Sequence, residues 1–190
     1  MKILLTLFVL LFSSSLFAED ISDFEIDGMS IGDSLLDYFS EEEIKSAKKS
    51  TYANSNKYFD VWFVSKTKLY EELSITLKEN DNRYIMHSIS GVKIFENNFD
   101  QCKKFKKDVI KDLINLFQNI KQNDYEYIYK NIEDGKSISY VTDFDLNDGA
   151  VRIYCQDWSS ITEKERGWID EGRVDVSTRD LIDWLTYEAH

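Results

Sequence analysis

Apolar residues recur at every second position in several separate stretches of this chain, and that period of two most limits the folds open to it. In Tyr58 to Ser65, Phe59, Val61 and Phe63 fall on one side and Tyr58, Trp62 and Val64 on the other. Leu73, Ile75 and Leu77 alternate with polar residues, as do Ile138, Tyr140, Phe144 and Leu146, and then Val151, Ile153 and Cys155. Successive side chains of a strand point to opposite faces, so each run specifies a strand with an apolar side, and the first a strand buried on both. Glu79-Asn80-Asp81-Asn82 turns the chain into Arg83 to Phe95, and Asn147-Asp148-Gly149 makes a second turn, so two hairpins are expected. In the first return strand Ile85 and Ile89 have one parity and Val92 and Ile94 the other, which predicts a bulge at Gly91. Val174 and Val176 supply a sixth short strand.

Helical spacing is found elsewhere. Phe99, Cys102, Phe105, Val109, Leu113, Leu116 and Ile120 recur at intervals of three and four behind a capping pair, Asn98 and Gln101. Ser30 is expected to cap a short helix carrying Leu35, Leu36 and Phe39, Ser40 with Glu43 to form a capping box, and Ser177 with Asp180 to cap a closing helix with Leu181, Trp184 and Leu185. The segment Tyr125, Tyr127, Tyr129 fits strand or helix. The order is helices, three strands, a long helix, three strands and a terminal helix. It predicts an α+β fold, an antiparallel sheet of about six strands with helices packed on one face.

Residues 1–18 read as a secretory signal peptide: Lys2, the apolar run Ile3 to Phe12, and a small-residue end at Ala18 before Glu19-Asp20. Cleavage after Ala18 leaves one domain, 19–190, expected to be periplasmic or secreted, with no stable membrane insertion and no cysteine placed to accept a lipid. In an oxidising compartment the only two cysteines, Cys102 on the helical stripe and Cys155 on an apolar strand face, are expected to form a disulfide. Closing a loop of this length corresponds to roughly 4 kcal/mol in the chain-entropy model. The formal net charge of −12 repels phosphate backbones, which argues against a nucleic-acid partner. The basic block Lys103, Lys104, Lys106 and Lys107 is read as the solvated side of the long helix.

No motif assigns a reaction. Gly28-Met29-Ser30-Ile31-Gly32 matches the serine-hydrolase elbow G-x-S-x-G, yet the strands that precede such an elbow have no room here. The only histidines are His87, on a strand, and His190. Asp143, Asp145, Asn147 and Asp148 resemble the start of a calcium loop, but glycine arrives one position late, at Gly149, and Tyr154 stands where a bidentate glutamate belongs. Glu41-Glu42-Glu43, Glu71-Glu72, Glu163 and Glu165 read as solvated charges. Trp158, Trp168 and Trp184 are read chiefly as core packing, with Trp168 the most exposed; a sugar or peptide groove is the other reading. No catalytic, cofactor-binding or metal-ligating residue is assigned.

The opening Ile26-Asp27-Gly28-Met29-Ser30-Ile31-Gly32-Asp33-Ser34-Leu35-Leu36 resembles the start of small helix-plus-sheet modules, among them the small lipoprotein of the outer-membrane assembly machine and β-lactamase-inhibitor-like proteins. The chain as a whole resembles small secreted bacterial proteins without an assigned function. The resemblance implies a binding role. The expected function is a periplasmic binding or interaction module engaging another envelope protein, the alternatives being a carboxylate-based envelope hydrolase or a small-ligand carrier.

Overall fold

The computed structural model describes residues 20–96, 98–116 and 121–189. The leader 1–18 with its expected cleavage point, Ile120 and His190 lie outside the described residues. A hairpin comes first, β1 (Glu25–Ile26) with β2 (Met29–Ser30), turning at Asp27 and Gly28, whose φ angles are 57° and 81°. Two consecutive positive φ values are what a tight hairpin turn requires. The helix expected behind Ser30 is therefore replaced: Ser30 is a strand residue, Gly32 at φ 90° interrupts any helix, and Ser34 caps a single 3₁₀ turn at Leu35–Asp37. The capping box of Ser40 and Glu43 then starts α1 (Glu41–Ser46) as its sequence predicts.

The remaining elements are β3 (Lys48–Thr51), β4 (Tyr58–Val64), β5 (Glu72–Lys78), β6 (Met86–Ile94), α2 (Phe99–Leu116), β7 (Lys121–Ile128), β8 (Ile138–Asp145), β9 (Gly149–Asp157), α3 (Ser160–Arg166), β10 (Glu171–Thr178) and α4 (Arg179–Tyr187). Strands β3 to β10 form one antiparallel sheet in the order β3-β4-β5-β6-β10-β9-β8-β7. Eight strands rather than six is a correction with a simple cause. The two additional strands are the edges of the sheet: β3, whose exposure removes the alternation that marks buried strands, and β7, the tyrosine segment whose sequence fits strand or helix.

Register explains a second departure. Thr76 pairs with Ser88 but Leu77 with Met86, so the extra residue of the bulge is His87 rather than Gly91. Gly91 sits in regular register, and its missing side chain admits the ring of Tyr70, which lies 2.6 Å from where a Cβ would stand.

One face of the sheet carries Leu73, Ile75, Ile89, Val151, Ile153, Val174 and Val176, all buried. α2 packs on this face. It is fixed there by the Cys102–Cys155 disulfide, with Cα atoms 5.9 Å apart, and by close approach over Gly172, where a Cβ would stand 2.9 Å from the Cys102 sulfur. The terminal helix α4 is on the other face, its Leu181 and Trp184 buried against Tyr58. Helices are thus not confined to one side. The cause is in β4, whose two-sided pattern places Tyr58 opposite Phe59 and gives α4 an apolar anchor beyond the main core.

Candidate functional site

The face that carries α4 is otherwise polar, and registers across seven strands align its side chains in rows. The central row runs Trp62, Ser74, Ser90, Asp175, Arg152, Asp143, Asn123, each residue the antiparallel partner of the next. A parallel row begins Asp60, Thr76, Ser88, Ser177. Because side chains alternate along a strand, these residues are the obligatory counterparts of the apolar ones on the core face. They line a groove of about 560 Å³, closed along one side by Leu181, Ile182 and Leu185 of α4. A smaller cleft of about 280 Å³ adjoins it, lined by Tyr125, Tyr127, Tyr129 and Tyr154, and shares Arg152 and Asp175 with it.

The polar groups of this face are mostly bonded to one another. Arg152 donates from Nε and Nη2 to the two oxygens of Asp143, at 2.7 and 3.0 Å, and Tyr125 donates to the same carboxylate at 3.1 Å. Arg173 donates from Nε to Glu171 at 2.7 Å, and its guanidinium lies 5.3 Å from the Trp62 ring centre. Arg179 donates to Asp145 and to the carbonyls of Leu146 and Gly149. Asp60 accepts from Thr76 at 2.7 Å and from Tyr52 at 3.3 Å, and the Ser88 and Ser177 hydroxyls meet at 2.8 Å.

Asp175 is the exception. It lies at the centre of the central row and at the junction of the two hollows, and its Oδ1 is shut off from solvent with no hydrogen-bond partner. A water-sized molecule still reaches part of the residue from the groove, while protein packs densely around it. Burial pushes its carboxyl above the usual range, opposed by Arg173, the Ser90 hydroxyl and Arg152. Burial also raises Asp60, against the hydroxyls of Thr76 and Tyr52. Desolvation works against the charge of Arg173, but Tyr154, Glu171 and Asp175 around it more than offset this and raise its pKa. A buried carboxylate oxygen without a donor is costly, so the centre of the groove holds a bond that the protein itself does not make.

The sequence-level candidates lie elsewhere or in other roles. Ser30 is in the N-terminal hairpin, and His87 packs edge-on against Tyr58 with ring centres 5.1 Å apart. Asp143 and Asp145 of the calcium-like run are on the groove side of β8 but bound to Arg152 and Arg179, while Asp148 accepts from the Ile21 N–H in the hairpin turn, so the three do not converge. Trp168 is half-buried rather than exposed, its ring tilted 51° to that of Trp158 with centres 4.4 Å apart and Arg166 over it at 4.8 Å. Trp184 is core. The tryptophan that does line the groove is Trp62. Of the basic block, Lys103 lies over the Phe99 ring and Lys104 pairs with Asp108, on the outer side of α2.

Sequence reasoning passed over Asp60, Arg152, Arg173 and Asp175. A signal for them exists: Ser74 and Thr76, Ser88 and Ser90, and Arg173, Asp175 and Ser177 are the polar halves of three strands that become neighbours, and short hydroxyls there leave a hollow that long solvated side chains would fill. It could be read only with the strand order in hand, because β10 enters between β6 and β9. Comparison with known proteins returns no match to a family model, a curated protein or a solved structure.

Proposed function

We propose that the protein is an exported binding module that holds a small polar ligand on the open face of its sheet. The observation that carries this reading is the groove itself: about 560 Å³, lined by short hydroxyl side chains, with its walls bonded internally and one unsatisfied carboxylate at its centre. That volume is in the range of small-molecule sites, and few convergent polar groups in a formed hollow are what such sites offer. Export is supported by the leader-like first 18 residues and by the Cys102–Cys155 disulfide, and no helix among the described residues is long and apolar enough to cross a membrane.

A hydrolase built on two carboxylates fits the groove less well. Asp60 and Asp175 are three strand spacings apart, roughly 14 Å before side chains are counted, beyond the separation of about 5 to 10 Å that glycoside chemistry uses. Asp143 is nearer but is held by Arg152 on both oxygens.

The test is a thermal-shift panel of sugars, amino acids, small peptides and amines on the mature protein, repeated on Ser90→Trp. A ligand at about 100 times its Kd adds roughly 2.7 kcal/mol, a readily measured rise in Tm. The expected result is a rise that Ser90→Trp abolishes; no rise with any compound, or one that survives the block, overturns the groove as the site. A second reading, an envelope-protein partner, draws on β7, an edge strand exposed along its whole length with Tyr127 and Ile128 outermost. Cross-linking in intact cells tests it. A stoichiometric protein partner lost when Tyr127 is replaced by Lys supports it, and recovery of the protein alone counts against it.

A further inference from the structure

Among the described residues, three charged side chains that line the groove have no ion-pair partner: the exposed Lys121 on the edge strand β7, Asp60, and Asp175 at the centre. Arg152 is matched by Asp143 on both of its bonding nitrogens, Arg173 by Glu171 and Arg179 by Asp145, and Asp60 is served by two neutral hydroxyls. The Asp175 Oδ1 has no donor. At the centre of the groove an incoming anion would lie against Asp175 and compete with Asp143 for Arg152, whereas an incoming donor meets a carboxylate that has a bare oxygen. Rotation about the terminal torsion of an aspartate is broad and roughly two-fold, so either oxygen can be turned to the groove without leaving a rotamer well.

The cleft beside Asp175 narrows the choice of donor. Four tyrosines line it, with Tyr127 and Tyr129 set edge to face at 4.7 Å and Tyr129 anchored through its hydroxyl to Ser139 at 3.2 Å. Aromatic faces beside a carboxylate attract a positive charge through the ring quadrupole, and they offer a neutral hydroxyl much less. The protein's net charge of −12 draws cations toward it over longer range. A metal ion is poorly served, since hard cations require about six oxygen ligands and the other carboxylates are engaged.

We infer that Asp175 and the tyrosine cleft recognise an ammonium group on the ligand, the rest of which lies along the serine- and threonine-lined groove. The inference rests on the groove being the binding site and adds the chemistry of what it takes: a small amine carrying polar or hydroxylated substituents, either an amino sugar or an alkyl amine.

The test is calorimetric titration of the mature protein at neutral pH with two matched pairs of probes, glucosamine against glucose and 1,4-diaminobutane against 1,4-butanediol. The two pairs separate the sugar source of the amine from the alkyl source. The expected result is that an amine binds, that its hydroxyl partner binds at least about tenfold more weakly, and that Asp175→Asn removes that margin while leaving the weak hydroxyl binding unchanged. Tyr127→Leu, at an exposed position whose replacement leaves the core intact, is expected to weaken the amine by about threefold or more and to spare the alcohol. Equal binding of amine and alcohol, no amine binding, or an Asp175→Asn protein that binds amines as before would each overturn the inference. The groove reading would survive any of these if another compound in the panel still raises Tm in a Ser90→Trp-sensitive way.

Discussion

The two faces of the sheet are built from the same strands and solve opposite problems. On β10, Val174 and Val176 are buried under the core while Arg173, Asp175 and Ser177 one step away line the groove; on β9, Val151 and Ile153 oppose Arg152. The core face is closed by α2 and stapled by Cys102–Cys155. The groove face is covered only along one side, by α4, and its arginines and Asp60 are bonded to neighbouring groups while Asp175 keeps a bare oxygen. Stability is thus concentrated on one side and an unfavourable buried charge is tolerated on the other, the usual arrangement where a site needs a group that folding alone would remove.

The largest test of this division is the staple. Cys155→Ser frees α2 from β9 and is expected to lower unfolding free energy by roughly 4 kcal/mol under oxidising conditions, measured by denaturant titration. If the midpoint does not move, the disulfide contributes nothing to holding the core face. Next in size, Ile153→Ala on the same strand empties fully buried space and should lose about 3 kcal/mol. A loss below about 1 kcal/mol would mean that this face is loosely packed and the contrast with the groove is false.

The smallest effect has the opposite sign. Asp175→Asn removes a buried charge at nearly constant shape and should raise Tm at neutral pH. The sign follows from linkage: the folded protein holds this carboxyl above its unfolded pKa, so its ionisation opposes folding, absent below the unfolded value near 4 and growing as pH rises through the folded value. The gain of Asp175→Asn should therefore vanish in acid, which unfolding at pH 3.5 and pH 7 compares directly. A loss of stability at pH 7 would mean that Arg152 and Arg173 depend on the Asp175 charge, and the groove would be a structural network rather than a site.

What could be read in advance follows burial. Strands β4, β5, β8 and β9 announce themselves because one side of each meets the core, and α2 does so through a stripe that faces the sheet. Edge strand β3 carries no such pattern because neither side is pressed against an apolar neighbour, and the alternating tyrosines of β7, exposed along the strand, left strand and helix open. At the N-terminal hairpin the capping preference of Ser30 points toward a helix, but Asp27 and Gly28 turn the chain back at positive φ and Gly32, also at positive φ, keeps a helix from starting. The paired cysteines were legible because each lies on an apolar face of a different element.

The sequence by itself determined the core faces of the central strands, where the long helix lies, that the sheet is antiparallel, and that Cys102 and Cys155 belong together, since alternation, helical spacing and turn chemistry are local properties. Only the tertiary structure decided the groove. Asp175, with its bare Oδ1, became the centre of a polar row because β10 inserts between β6 and β9, which sets it beside Ser90, a residue 85 positions earlier in the chain, and beside Arg152.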